Sequence, residues 1–430
     1  MKTIGSTPLP AGGRLPRNKG VRRLACVFAA GLLVTLGCRE DTTSPTAPET
    51  APVLATAASA LAFYQVSAGG NHTCGVTTDN RAYCWGAAFN GQLGNGTTTW
   101  RLRPVAVAGT LRFRQVSAAA NHTCAVTTDY RAYCWGSNTD GKLGDGTETD
   151  RLRPVPVAGG LRFRQVDGGD DQTCAVTYPD NRAYCWGYHA EGGLGDGTFQ
   201  PRARLTPTAV AGGLRFRQVS TGGGQSNPPR GEPFAGHSCG VTTTDEAFCW
   251  GPNTVGQLGI GGTTGGGDHA SPTRVAGEHR FRQIEAGSAF TCAVTTTNRA
   301  FCWGNGRQGQ IGDGKTYLRF SPSAVAGLHS FGRVTTGYSH TCGETTLNRA
   351  YCWGSNGSGQ LGDGTTTQRL TPVLVAGGHF FSQVSAGGTE FGAHTCGKTA
   401  AAVAYCWGEG GQLGDGTTTD RHKPVAVASP

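Results

Sequence analysis

The stretch HTCGVTTDNRAYCWG, residues 72–86, places two cysteines ten positions apart and ends on Trp-Gly. Nearly the same stretch, HTCAVTTDYRAYCWG, returns at residues 122–136. The segments on either side of its turn are short and rich in Val, Tyr and Trp, which favours a β-hairpin with a polar turn. A hairpin that repeats in this way predicts an array of like units rather than several unrelated domains.

The whole chain carries this pattern seven times. The Trp of the motif recurs at Trp85, Trp135, Trp186, Trp250, Trp303, Trp353 and Trp407, and the Phe of an FRQV-like run recurs at Phe63, Phe113, Phe163, Phe216, Phe281, Phe331 and Phe381. Unit two shows four strand-like segments, at residues 113–118, 122–128, 131–136 and 153–157. We therefore predict an all-β fold over residues 62–430, a seven-bladed β-propeller of four-stranded antiparallel blades.

The end of the chain suggests how the ring closes. KPVAVA, residues 423–428, is a fourth strand with no unit after it, and APVLATA, residues 51–57, is a weak strand before unit one. Either segment could join blade one. We expect closure by terminal strand exchange and favour the C-terminal strand.

Fourteen of the 16 cysteines fall in these hairpins. The pairs are Cys74/Cys84, Cys124/Cys134, Cys174/Cys185, Cys239/Cys249, Cys292/Cys302, Cys342/Cys352 and Cys396/Cys406. A symmetric turn puts the two cysteines of a pair directly opposite each other on neighbouring strands, close enough for a disulfide. Unit three has one extra residue, but it lies in the turn. The ten-residue spacing is not a zinc spacing, so we predict seven disulfides, one in each blade.

The beginning of the chain predicts export. Residues 1–37 combine six basic residues and no acidic residue with an apolar run, residues 24–37, which is too short to span a bilayer and is typical of a signal peptide. The junction at Cys38 resembles a lipoprotein cleavage site, and residues 38–61 are typical of a flexible Thr/Pro/Ala-rich tether. We expect an extracytoplasmic protein, either anchored through a lipid on Cys38 or secreted. A paired-cysteine framework agrees with an oxidising compartment.

The repeated segments AGGNHTC, AYCWG and GQLGNGT together resemble the repeat of the regulator of chromosome condensation family. The last segment stands as GQLG at residues 91–94, 256–259, 359–362 and 411–414, with close variants in the other three units. The resemblance implies a seven-bladed propeller. The namesake members exchange nucleotide on a small GTPase, whereas other relatives resemble exported binding proteins.

Several recurrent side chains invite a functional interpretation. The His before Thr-Cys is present in five units, as His72, His122, His237, His340 and His394, and we expect it to be structural. The Asp of the GDG element has too few partners for a calcium site and is expected to bond its own turn. No linear catalytic motif is present, so we predict no catalytic residue, cofactor or metal, and we do not expect an enzyme. A body with a net charge near +3 once the leader is removed does not indicate a nucleic-acid partner.

The units differ mainly at one end. The loops between the first and second strands and between the third and fourth strands vary in length, whereas the other end is regular. This pattern favours a binding surface built from loops. Our candidate partner-binding residues are Phe89, Asp140, Tyr188, His189, Arg230, Phe234, Val255, Arg307 and Phe391. We expect a monomeric scaffold that binds a protein or glycan through this face and meets a membrane only through Cys38. The alternatives are a nucleotide-exchange regulator and a propeller enzyme such as a lyase or glycan hydrolase.

Overall fold

The computed structural model describes residues 60–200, 202–223, 236–264 and 266–430. The predictions for residues 1–37, for Cys38 and for the insertion that contains Arg230 and Phe234 therefore concern residues outside the described part of the chain. No helix among the described residues is long and apolar enough to cross a membrane.

Twenty-eight strands form seven four-stranded antiparallel sheets, each built from four strands consecutive in sequence. The first strands are β1 (Phe63–Ala68), β5 (Phe113–Ala118), β9 (Phe163–Gly168), β13 (Phe216–Thr221), β17 (Phe281–Ala286), β21 (Phe331–Thr336) and β25 (Phe381–Gly388). The second strands are β2 (His72–Thr77), β6 (His122–Thr127), β10 (Gln172–Thr177), β14 (Ser238–Thr242), β18 (Phe290–Thr295), β22 (His340–Thr345) and β26 (Ala393–Thr399).

The third strands are β3 (Ala82–Gly86), β7 (Ala132–Gly136), β11 (Ala183–Gly187), β15 (Ala247–Gly251), β19 (Ala300–Gly304), β23 (Ala350–Gly354) and β27 (Ala404–Gly408). The fourth strands are β4 (Arg101–Ala106), β8 (Arg151–Pro156), β12 (Arg204–Ala209), β16 (His269–Arg274), β20 (Arg319–Ala324), β24 (Arg369–Leu374) and β28 (Arg421–Ala426). Short 3₁₀ turns occupy Thr139–Gly141, Ala190–Gly192 and Ala211–Gly213. The first strands contact one another around the axis, and the fourth strands form the outer edge, where their prolines leave no ladder donor unpaired.

The seven disulfides predicted from the sequence are present. Cys124 lies opposite Cys134 in the β6–β7 register, and the two are joined by a disulfide with Cα atoms 4.1 Å apart. The longer unit three keeps its pair, Cys174–Cys185, because the extra residue lies in the turn. The remaining pairs are Cys74–Cys84, Cys239–Cys249, Cys292–Cys302, Cys342–Cys352 and Cys396–Cys406.

The hydrophobic core is divided among the seven junctions between neighbouring blades. At the first junction, the Cys74–Cys84 disulfide and Leu93 of blade one pack against Phe113 and Trp135 of blade two. The other six junctions repeat this arrangement. Each disulfide therefore lies in the contact between blades, where a blade has little apolar interior of its own.

The expected closure by strand exchange is wrong. Strand β28 pairs with β27 of its own sheet, and β1 pairs with β2 of its own sheet, so neither end crosses into another blade. The ring closes instead through the contacts used at every other junction. Leu413 of unit seven packs with Phe63 and Trp85 of unit one, as Leu93 packs with Phe113 and Trp135.

Two faces result from this topology. The loop-rich face carries the connections between first and second strands and between third and fourth strands. The turn face carries the tight turns between second and third strands and the connections from each fourth strand to the next first strand. Between them runs a central channel of about 650 Å³ lined by the first strands.

Candidate functional site

The GQLG segment explains the junction geometry. In unit one, the backbone carbonyl of Gln92 accepts hydrogen bonds from the Thr123 hydroxyl (2.8 Å) and from Trp135 Nε1 (2.9 Å) of the next blade. Leu93 is fully buried beneath that blade. Gly94 has a φ of 66°, and a Cβ there would lie 2.6 Å from Trp135 Nε1, so both its backbone conformation and the close contact with the indole favour glycine.

The histidines before Thr-Cys belong to the same junction. His72 Nε2 lies 2.7 Å from the Thr123 hydroxyl of the next blade. That hydroxyl already donates its proton to the Gln92 carbonyl, so Nε2 must be the donor to Thr123 Oγ1. Nδ1 is then the unprotonated nitrogen, and it is buried without a partner among the described residues.

The same burial keeps these histidines neutral. It lowers the pKa of His72, His237, His340 and His394 to about 3, and it lowers the pKa of His122 well below its usual value. Protonation would put a charged, unpaired N–H into the core. In unit five Phe290 fills the position, and Thr341 of the next blade still donates to the Gln310 carbonyl. These contacts support the structural role expected for the histidines.

The Asp of the GDG element bonds its own loop. Asp145 accepts hydrogen bonds from the backbone and hydroxyl of Thr147 and from Arg151 Nε, at 2.7 to 3.0 Å. Burial alone would raise the pKa of Asp145, but these hydrogen bonds outweigh it and hold the pKa below its usual value. Equivalent bonds occur at Asp196, Asp363 and Asp415.

A ring of glutamines lines the central channel, and it was not predicted from the sequence. In six units the third residue of the first strand is Gln, and its amide bonds both the N–H and the carbonyl of one Val or Ile in the next blade. Gln65, for example, donates to the Val116 carbonyl and accepts from the Val116 N–H, both at 2.9 Å. These paired bonds join the seven first strands around the channel.

Unit six departs from this ring in a compensated way. It has Arg333 in place of the glutamine, and Arg333 forms an ion pair with Glu285 of blade five at 2.8 Å. The N–H of Val384 in the next blade then bonds Glu344 Oε2 at 3.3 Å. Glu344 stands where Val76 stands in unit one, so two exchanges within unit six replace one glutamine.

Two buried carboxyl groups have raised pKa values: Asp167, which lines the channel, and Glu344, which lies on the second strand of blade six. Burial, and then the charge of Glu285, raises the pKa of Asp167 to about 7, and burial raises the pKa of Glu344 to about 7. Asp167 accepts hydrogen bonds from the Thr221 N–H and the Ser117 hydroxyl, each 3.0 Å away, so it also joins neighbouring blades.

The loop-rich face holds a second cavity, of about 400 Å³, near the channel mouth. Asn71, Asn121, Lys142, Tyr338 and Phe391 are among its lining residues. Lys142 is almost fully buried and forms an ion pair with Asp171 at 2.7 Å. Burial, followed by the charges of Glu390 and Asp170, raises the pKa of Tyr338 to about 12. The cavity has a mixed polar and apolar lining, with carboxylates near one aromatic hydroxyl.

The candidate partner-binding residues take different places on this face. Phe89 is 69% exposed and Phe391 is 87% exposed, whereas Tyr188, Asp140, Val255 and Arg307 lie at or near the surface of their loops. His189 is the exception: its side chain is buried, and Nε2 bonds Asp196 at 2.8 Å. We therefore correct its assignment, because a buried side chain that holds its own loop cannot contact a partner in this structure.

The structure adds aromatic residues that sequence reasoning missed. Trp100, Phe199 and Tyr317 lie exposed in the loops between third and fourth strands. The Trp100 ring meets Phe89 edge to face, with centroids 5.7 Å apart, and Trp100 Nε1 bonds the Gly411 carbonyl of unit seven. The sequence does show an aromatic residue shortly before the fourth strand in these units. The prediction missed these residues because it considered only the positions soon after Trp-Gly and the insertions.

Seven blades joined through GQLG loops and Trp indoles define an RCC1-type propeller. The Regulator of chromosome condensation (RCC1) repeat matches residues 79–126, 130–176, 245–294, 298–343 and 348–390, which is more than half of the chain. A second description of the same repeat matches residues 63–92, 113–142, 281–310 and 333–360. The chain therefore belongs to the RCC1-repeat family.

Known proteins share this repeat or this fold. The ultraviolet-B receptor UVR8 of Arabidopsis thaliana is 31% identical over 133 residues, which is 30% of this chain and 27% of the receptor. The chain thus matches less than a third of that relative's length. Prp20p from Saccharomyces cerevisiae superposes with a TM-score of 0.68 at 19% identity, covering 82% of this chain and 87% of that one. Human WBSCR16 superposes with a TM-score of 0.67 at 21% identity, covering 78% and 86% of the two chains. These structures share the fold.

Proposed function

We propose that this RCC1-repeat propeller is an exported binding scaffold that holds a protein partner on its loop-rich face. The observation that carries the proposal is the set of exposed aromatic side chains on that face. They are Phe89, Trp100, Tyr188, Phe199, Tyr317 and Phe391. Aromatic residues are enriched at protein interfaces because they bury a large area while losing little conformational entropy.

The rigidity of the scaffold supports the proposal. Seven disulfides and the channel hydrogen bonds fix the blades, so the loops need little reordering on binding. Prp20p of the same fold is described with its binding to Gsp1p and histones, which agrees with a protein partner in general. A glycan remains the alternative ligand, bound in the second cavity of that face.

Export completes the proposal. A signal peptide over residues 1–37 and a lipid on Cys38 would put the disulfides in an oxidising compartment. After a high-salt wash, which weakens electrostatic attachment to the bilayer, replacement of Cys38 by Ala should move the protein from the membrane fraction to the soluble fraction. Retention of the variant in the membrane fraction would contradict lipid anchoring without touching the binding proposal.

Two rival functions would require other properties of the protein. A nucleotide-exchange regulator of the namesake type would need a reduced, cytosolic protein. An enzyme would draw on the buried carboxyl groups of Asp167 and Glu344, since perturbed pKa values mark many catalytic sites. The bonds of Asp167 and Glu344 to neighbouring blades account for both residues without catalysis.

The test uses residues 56–430 as bait for a surface extract, with cross-linking and mass spectrometry. One variant carries Phe89→Ser, Tyr188→Ser and Phe391→Ser, and the control carries Leu328→Ser, Leu347→Ser and Val403→Ser on the turn face. We expect one specific partner with the wild type and the control and its loss with the loop-face variant. Equal capture by the loop-face variant would contradict the proposal. Loss of capture after deglycosylation of the extract would identify a glycan.

A further inference from the structure

The mouth of the channel on the turn face is ringed by arginines over four consecutive blades. Arg114, Arg164, Arg217 and Arg282 occupy the second position of the first strand in units two to five and line the channel. Units one, six and seven have Tyr64, Gly332 and Ser382 there. The positive charge therefore forms an arc on one side of the mouth.

Arginines outnumber carboxylates by more than two to one over the whole turn face. The arginines are Arg81, Arg112, Arg114, Arg131, Arg162, Arg164, Arg182, Arg215, Arg217, Arg274, Arg280, Arg282, Arg299 and Arg349, and the carboxylates are Asp79, Asp129, Asp180, Asp245, Glu246 and Glu278. Four of the exposed arginines form no ion pair with any described residue: Arg112, Arg162, Arg215 and Arg299. Their charges are available to an anionic surface.

The remaining sector of the same face carries protruding apolar side chains. Leu328 is 94% exposed, Leu347 is 76% exposed and Phe380 is 56% exposed. These three residues and Val403 lie in blades six and seven or in the connections that lead into those blades. Leu347 stands at the turn position that Asp79 occupies in unit one. The guanidinium of Arg349 lies 4.6 Å from the centroid of the Phe380 ring. Basic residues beside protruding Leu and Phe side chains are typical of surfaces that lie on a bilayer.

The chain also enters the propeller at this face. The Ala62 carbonyl accepts a hydrogen bond from the N–H of Thr78, in the tight turn of blade one, at 2.8 Å. Residues 60–62, which lead into β1, therefore lie on the turn face and not on the loop-rich face. Any membrane tether on that segment would draw the turn face toward the bilayer.

We propose that the turn face docks directly on an anionic phospholipid surface. The headgroup phosphates, whose oxygens match the guanidinium fork, are bound by the four exposed arginines that form no ion pair with a described residue, Arg112, Arg162, Arg215 and Arg299. The Leu328, Leu347, Phe380 and Val403 side chains enter the interfacial layer. Charge complementarity and the point of chain entry favour a lipid surface over a protein there. The docked orientation leaves the opposite, aromatic face open. The proposal requires neither lipidation of Cys38 nor a partner on the loop-rich face.

The experiment is vesicle sedimentation with oxidised residues 56–430, which include Phe63, Trp85 and Leu413 of the closing junction. The vesicles contain equimolar phosphatidylglycerol and phosphatidylcholine, or phosphatidylcholine alone. We expect binding to the anionic vesicles that weakens as salt is added. Equal binding to both vesicles, or none to the anionic ones, would overturn the proposal.

Matched variants assign the binding to the turn face. Joint replacement of Arg112, Arg162, Arg215 and Arg299 by Gln should weaken binding to anionic vesicles by about tenfold or more. The pair Leu328→Ser and Leu347→Ser should also weaken binding while the salt dependence remains. The control replaces the exposed residues Arg101, Arg153, Lys315 and Lys423 by Gln outside the turn face and should bind as the wild type does.

Two outcomes would reject a lipid surface even if the charges matter. If the control weakens binding as much as the arginine variant, the attraction is general and not a property of the turn face. If a soluble polyglutamate binds the wild type but anionic vesicles do not, the arginines serve an acidic macromolecule instead. Unchanged thermal unfolding of each variant shows that its fold is intact.

Discussion

Gly414 of unit seven lies against the indole of Trp85 in unit one, and a Cβ on Gly414 would lie 2.7 Å from Trp85 Nε1. The same approach joins Gly144 to Trp186 within the ring, but those blades are also connected by the chain. The junction between blades seven and one depends on noncovalent contacts, which include the Thr73 hydroxyl bond to the Gln412 carbonyl.

The first prediction follows from this difference. Gly414→Ala should lower the free energy of unfolding by about 1–3 kcal/mol, because it combines a strained positive φ with a clash at the closing junction. Gly144→Ala introduces the same strain at a chain-connected junction and should cost less. Thermal and denaturant unfolding measure both. A larger loss for Gly144→Ala would contradict the closure described above.

The second prediction concerns a single disulfide. Joint replacement of Cys124 and Cys134 by Ala removes the disulfide between β6 and β7, which packs in the contact between blades two and three. The replacement should lower the free energy of unfolding by about 2–3 kcal/mol. Denaturant unfolding without reductant measures the loss. Addition of reductant should narrow the gap between variant and wild type, because both then lack this cross-link. Equal stability of the two oxidised proteins would show that the disulfide is not a stabilising element.

The third prediction is acid sensitivity through the buried histidines. Burial lowers the folded-state pKa of His237 to about 3, so between that value and the unfolded value near 6.5 the unfolded chain binds a proton that the folded chain does not. Stability is therefore lost as the pH falls through this window. His237→Phe, which introduces the residue that unit five has as Phe290, should lose about 1–2 kcal/mol less than the wild type between pH 7 and about pH 5. Parallel curves for the two proteins would contradict a buried neutral histidine.

The fourth prediction is a pH dependence of stability opposite in sign to that of the buried histidines. The pKa of Asp167 is raised to about 7, so from about pH 4 to pH 7 the folded protein holds a proton that the unfolded chain releases. Its contribution to stability is present at low pH and is lost as the pH rises through 7. Asp167→Asn should therefore remove a stability loss between about pH 4 and pH 7, which denaturant unfolding at several pH values measures. Asp79→Asn, at an exposed carboxylate whose pKa is lowered by the Thr77 hydrogen bond, should leave that loss in place.

The sequence predicted the blades and the disulfides because both depend on local rules. Alternation and turn symmetry put Cys124 opposite Cys134, whatever the rest of the chain does. The closure prediction was wrong because it moved the C-terminal strand to blade one on the ground that no unit follows it, whereas β28 pairs with β27 of its own sheet.

The contacts between blades around the channel could not be predicted from the sequence alone. Gln65 bonds Val116 in another blade, and no local pattern shows which residue an inward-facing glutamine will meet. The sequence does show Arg333 in place of the glutamine, in FGRV, and Glu344 in place of the valine, in CGET. Only the folded ring shows that Glu344 accepts a hydrogen bond from the Val384 N–H. The exposed leucines of the turn face were overlooked because the regular loop lengths at that end gave no sign of its side-chain chemistry.

The central claim is an oxidised propeller with one disulfide in each blade. The thiol state of the protein isolated from its own cells tests this claim most directly. The protein is quenched in acid, denatured, treated with an alkylating reagent without reduction, digested and mapped by mass spectrometry. We predict no alkylated thiol among the fourteen propeller cysteines and seven linked peptide pairs, including Cys124 with Cys134 and Cys174 with Cys185. Fourteen alkylated cysteines would contradict both the disulfide framework and export, and would favour a cytosolic regulator.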